Sequence, residues 1–122
     1  MQFRLASLVL AIGVACAALP AAAADNNGKF LIKGLGTQSC SDYLKFSQTD
    51  KLITETWWAG YLTALNRTTE DTYNLLGETT PAQANAWLED YCSTYNNRLI
   101  ATAVHAMLQH YFPNREETSP NN

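Results

Sequence analysis

Read for the spacing of its apolar positions, the chain divides into short segments that repeat every three to four residues and polar or Gly-marked joints between them. Residues 25–37 carry no period. Phe30, Leu31 and Ile32 are their one apolar cluster, and Gly34 and Gly36 follow it, so this part is expected to be an extended arm whose apolar residues tuck onto the core. Cys40, Tyr43, Leu44 and Phe46 or Ser47 suggest a short first helix, capped by Ser39 or Ser41 and ending near Gln48. Thr49 and Asp50 offer the next cap. A long helix is expected over 51–68, with Ile53, Trp57, Tyr61, Ala64 and Leu65 as one stripe and Trp58 and Leu62 widening it. Gly60 in mid-helix costs about 1 kcal/mol against Ala, and the expected compensation is close approach of a second helix. Residues 66–80 read as irregular, with a turn ending at Gly77 and with Tyr73, Leu75 and Leu76 packed beneath it. Thr80, Pro81 and Gln83 form a capping box that opens a third helix with the stripe Ala84, Trp87, Leu88, Tyr91 and Tyr95, beside which lies Cys92. A last helix over 98–111 presents Ile100, Ala103, Val104, Met107, Leu108 and Tyr111 and stops at Pro113. Residues 113–122 are polar and expected to be a disordered tail.

The N-terminus adds a compartment. Arg4, the apolar run from Leu5 to Val14 and the small residues Ala22, Ala23 and Ala24 match a cleaved signal peptide over 1–24. The run is too short to span a bilayer, so no stable membrane insertion is expected. Cys16 sits in a sequence resembling a lipoprotein processing box, but Gly13 stands where that box usually has Leu, so lipidation is the lesser alternative. After cleavage two cysteines remain, Cys40 and Cys92. An even count in the oxidising periplasm implies one disulfide. Without Arg4 the chain has seven Lys/Arg against eleven Asp/Glu, about −4 at neutral pH. A weakly acidic domain with no basic cluster lacks the electrostatic footprint for nucleic acid.

No constellation points to catalysis. Glu89 and Asp90 diverge by about 100° on a helix and cannot act as a pair. His105 and His110 are five apart, not the three or four that would stack them on one face. Phosphate-binding glycine loops and nucleophile elbows are missing from the sequence. The inventory predicts a non-enzymatic protein with no cofactor and no metal. The adjacent Trp57 and Trp58 point roughly 100° apart on a helix, so they cannot be equally central. Both are expected in the core, and the alternative, one of them partly exposed, makes Trp57, Trp58, Tyr61 and Tyr73 candidate partner-binding residues.

Three stretches carry a resemblance: Cys40-x-x-Tyr43-Leu44, then Trp57-x-x-Gly60-Tyr61-Leu62, then Tyr91-Cys92 before an amphipathic helix. Over roughly residues 38–111 this resembles the HdeA/HdeB-like periplasmic acid-stress chaperones. The Trp87 to Cys92 helix followed by the Ala-containing helix from Ala101 to Leu108 also resembles small periplasmic immunity proteins of type VI secretion. The resemblance implies an all-α, small orthogonal helical bundle of four to five helices, placed over 38–112, with Cys40 bridged to Cys92. It further implies a protein partner, either unfolded clients or a secreted effector, and leaves a homodimer open. The chain departs from the acid chaperones in having few lysines and thirteen aromatic residues. In strong acid its mature charge would rise to about +9.

Overall fold

The structure, a computed structural model, describes residues 24–121. The expected leader lies, apart from Ala24, outside the described residues, and so does Cys16. The chain divides into two compact units that meet between Phe30 and Leu31. In the first, Asp25 organises a tight turn by accepting from the Asn27 and Lys29 backbone N–H groups, each at 2.8 Å.

The second unit is all-α, with four helices: α1 (Cys40–Tyr43), α2 (Gln48–Thr68), α3 (Pro81–Thr94) and α4 (Ile100–Tyr111). Short 3-10 turns at Gly34–Thr37 and Phe112–Asn114 flank them. Cys40 and Cys92 are bonded, with their Cα atoms 4.8 Å apart and both side chains buried. The bridge ties the start of α1 to the last turn of α3.

Local chemistry accounts for most helix starts. Ser39 and Asp42 form a capping box on α1, and Thr80 and Gln83 form another on α3 with Pro81 in the first turn. Ser47, not Thr49 or Asp50, caps α2 by accepting from the Asp50 N–H, so α2 begins three residues earlier than the pattern suggested. That early cap also limits α1 to four residues. No side chain caps α4. Its first N–H, on Ile100, donates instead to the Gln38 carbonyl at 2.8 Å, while the Cys40 N–H donates to the Arg98 carbonyl at 2.7 Å. A segment remote in sequence therefore closes that helix end.

The core sits on α4, which packs against α1, α2, α3 and both 3-10 turns. Ile100, Ala103, Val104, Met107 and Leu108 are all buried there. The α2 stripe expected from the sequence is rotated. Trp58 and Thr54 are buried and Tyr61, Leu62 and Leu65 are half-buried, whereas Ile53, Leu52 and Ala64 face solvent. Gly60 is also exposed, and no atom outside its own helix backbone and chain neighbours would lie within 4 Å of a Cβ there. The expected close approach of another helix is thus corrected. A Gly60→Ala chain should gain about 1 kcal/mol, from helix propensity alone. Thermal unfolding followed by circular dichroism would read this as a midpoint rise of about 4–8 °C. An unchanged or lower midpoint would show that Gly60 has a role in the folded chain.

Two further expectations are revised. Leu31 is exposed and Ile32 only half-buried, so the apolar cluster at 30–32 does not tuck in as a block. The polar C-terminus is not free from residue 113 onward. Glu116 pairs with Asn74 as an antiparallel bridge, and the Arg115 Nε donates to the Asp71 carbonyl at 3.1 Å. These bonds hold the tail against the 71–77 loop, in which Leu75 and Leu76 are buried, as expected, whereas Tyr73, expected to pack beneath the loop with them, is exposed. The Asn66 side chain accepts from the Leu75 N–H at 2.9 Å, a structural role for a residue that also begins an Asn-Arg-Thr acceptor sequence.

Candidate functional site

The four aromatic residues named as candidate partner contacts differ in exposure: Trp58 is buried, Trp57 and Tyr61 are half-buried and Tyr73 is exposed. Trp58 is 2% exposed, and its ring N–H donates to Asn85 Oδ1 at 3.0 Å, so it is withdrawn as a contact residue of the folded state. Trp57 is half-buried, and its ring N–H donates to the Lys33 carbonyl at 2.9 Å. A Cβ at Gly36 would overlap that ring, so glycine there makes room for it. Tyr61 stacks on Trp57 with centroids 6.0 Å apart, and its hydroxyl lies 3.3 Å from His105 Nδ1. Burial holds the Tyr61 hydroxyl above its ordinary pKa. Tyr73 is exposed on the loop after α2. The structure brings Trp57 and Tyr61 together and keeps Trp58 and Tyr73 apart from that pair.

The seam between α2 and α3 instead gathers polar side chains. Tyr43, Lys51, Glu55, Asn85 and Glu89 line a cavity of about 90 Å3 together with Gln48 and Leu52. Lys51 forms an ion pair with Glu89. Asn85 Nδ2 donates to Glu55 Oε2 at 2.6 Å, so a hydrogen-bonded chain runs from the Trp58 ring through Asn85 to a carboxylate. The Lys51 ammonium also sits 5.6 Å from the Tyr43 ring centroid. The pattern held a signal for this seam. Lys51 and Glu55, and likewise Asn85 and Glu89, are i,i+4 pairs beside the apolar stripes. What spacing alone could not supply was which pair faces which.

Burial, and then the negative charges of Glu89 and Glu55, push the Tyr43 hydroxyl up to about 12. A raised phenol favours the neutral folded form, so its contribution is complete below pH 10 and is lost as the pH climbs through the folded value. The urea midpoint should hold to about pH 10 and then fall, a loss on the order of 2 kcal/mol. Tyr43→Phe should remove most of that loss, and an equal alkaline loss in both chains would sink the assignment. At the acid end, Asp42 is held below its ordinary value of 3.8, first by the Ser39 hydroxyl and then by the Ser39 N–H. That contribution is present above the unfolded value and is lost as the pH falls through the lower folded one.

Two other surfaces stand out. Tyr95, Tyr91, Trp87, His110 and Tyr111 form a continuous band of rings along α3 and the end of α4, with successive centroids 4.8–5.3 Å apart. Trp87 and Tyr91 of α3 and Tyr95 just past its end are the i,i+4 series of the expected stripe; Tyr95 is exposed and the other two are half-buried. An apolar groove of about 280 Å3 opens between Leu65, Leu75, Leu108 and Phe112, with His105 and Gln109 on its wall. Among the described residues no group of three His, Cys, Asp or Glu side chains is placed to hold a metal, and no helix is long and apolar enough to cross a membrane. No family model matches the chain, nor does any curated protein or solved structure.

Proposed function

We propose that the chain is an exported, periplasmic, non-enzymatic domain that captures unfolded proteins in acid, as acid-stress chaperones do. The observation that carries this reading is where its carboxylates stand. Asp42 and Asp50 close the starts of α1 and α2 with Ser39 and Ser47. Glu89 and Glu55 fasten the α2–α3 seam, and Glu117 pairs with Arg115 in the tail. Asp42 is held below its ordinary value by the Ser39 hydroxyl and N–H, so the cap of α1 weakens as acid neutralises it. The core that these joints cover is aromatic and apolar, which is the surface an unfolded client needs. The disulfide does not titrate and keeps the opened chain compact.

The test is aggregation of an acid-labile client protein at pH 2.5 and pH 7, with and without the oxidised protein, beside binding of the dye ANS. Suppression and dye uptake confined to the acid sample are expected. A domain that neither takes up dye nor protects the client at pH 2.5 would end this reading. The aromatic band on α3 favours a second reading, an immunity protein that neutralises a secreted effector. Stable binding of a folded effector at pH 7, abolished by Trp87→Ala and Tyr95→Ala, would select it.

A further inference from the structure

The apolar groove at the far end of α2 has no part in the reading above. Its walls come from four segments: Leu65 near the end of α2, Leu75 in the loop, Leu108 in α4 and Phe112 in the following 3-10 turn. Leu75 and Leu108 are buried and form its floor, and Phe112 is exposed at its edge. The loop wall is positioned by polar bonds, from the Leu75 N–H to Asn66 Oδ1 and between the backbones of Asn74 and Glu116. The groove is therefore held open by ties that do not cross it, which makes it a preformed site.

We propose that this groove binds a free medium-chain fatty acid, with its carboxylate at His105 and its chain along Leu65, Leu75, Leu108 and Phe112. Size sets the chain. An apolar cavity of about 150 Å3 holds benzene, so a groove of about 280 Å3 has room for about ten carbons. A single Phe side chain inserted by a protein partner would fill only about half of it. Polarity sets the head. Thr69, His105 and Gln109 give the wall polar edges, and the lining includes no Asp or Glu to repel an anion. The Tyr61 hydroxyl, 3.3 Å from His105 Nδ1, stays protonated at neutral pH and can donate there, which leaves the Nε2–H as a donor to a ligand. The charged side chain against the lining is a cation: Arg115 sits 4.2 Å from the Phe112 ring centroid. Its Glu117 partner is largely exposed, so the pair is screened by solvent. A cationic amphiphile would meet Arg115 and find no carboxylate in the lining, and a plain hydrocarbon would leave the polar edges unused. The site belongs to the folded domain at neutral pH and does not depend on capture of unfolded proteins.

NMR titration of the oxidised chain at pH 7 with straight-chain fatty acids, kept below micelle-forming concentrations, tests this. The chain has two histidines, so the His105 ring signals have their own control in His110, which lies outside the groove. Decanoate should move the His105 ring signals and the Leu65, Leu75 and Leu108 methyl signals, and leave His110 and Trp87 in place. From butanoate upward each added methylene should tighten binding about fourfold, and the gain should stop near ten carbons, where the groove is full. His105→Phe, which keeps the ring and removes the donor, should weaken decanoate about tenfold and leave decanol unchanged. No movement at His105 with about 1 mM decanoate would overturn the proposal. So would a fourfold gain that continues through tetradecanoate, which marks adsorption without a site, or an equal effect of His105→Phe on acid and alcohol. His105 signals that move on dilution without any ligand would assign the groove to a second copy of the chain instead.

Discussion

Cys40→Ala/Cys92→Ala should lose about 4 kcal/mol, the chain-entropy value for a closed loop of this length, the two cysteines being 52 positions apart. Domains of this size are typically stable by about 5–15 kcal/mol, so the variant should sit near its unfolding threshold at 37 °C. Urea titration of three samples measures this: the oxidised chain, the same chain reduced with excess thiol, and the double variant. The reduced chain and the variant should unfold at similar, much lower urea concentrations. The loss arises mainly from the unfolded state, which the bridge restricts. It also has a native part, because Cys40 and Cys92 lie in the core cluster with Leu88 and Ile100 and the truncation leaves space there. A loss under about 1 kcal/mol would mean that the backbone pairing of residues 38–41 with 96–100 already fixes α1 without the bridge.

Gly77→Ala should cost about 3 kcal/mol, from two sources that can be separated. Gly77 has φ of +56°, in the left-handed region where an L side chain pays about 1–2 kcal/mol. A Cβ there would also overlap the Asn114 carbonyl oxygen, so the tail must shift or lift, adding about 1–3 kcal/mol for overpacking. In a chain ending at Phe112 the second source is absent, and the substitution should cost only the backbone part. The four chains form a double-mutant cycle, read by urea midpoints. If the substitution costs the same in both backgrounds, the 114–117 segment does not dock on the loop as described. This is a direct test of the tail, whose order the polar composition gave no reason to expect.

The tail shows where local reasoning ends. Residues 113–122 contain too little apolar surface to order themselves. Their order comes from backbone groups of Glu116 meeting those of Asn74, 42 positions away, and backbone groups carry no residue-specific signal. The start of α4 has the same cause. Leu99 has no side chain that can cap a helix, and the Gln38 carbonyl that accepts from Ile100 comes from a segment remote in sequence.

Features that depend on neighbours within a turn or two were legible. The Thr80-Pro81-Gln83 start of α3, the buried stripe of α4 and the turn at Gly77 all rest on side-chain and backbone chemistry spanning three or four residues. The cysteine pair was legible for a simpler reason, since two cysteines leave one pairing. The rotation of α2 was not. Its sequence is apolar or small over most of its circumference, so Ile53 and Trp58 were equal candidates for the inward face. The choice fell to Trp58 because α3 supplies Asn85 for its ring N–H and Glu55 anchors Asn85 in turn. Helix identity, caps and the bridge follow from short-range chemistry written in the chain. Facing, docking of the tail and the polar seam follow from which groups three-dimensional packing brings opposite one another, and the spacing of residues along one helix carries no record of that.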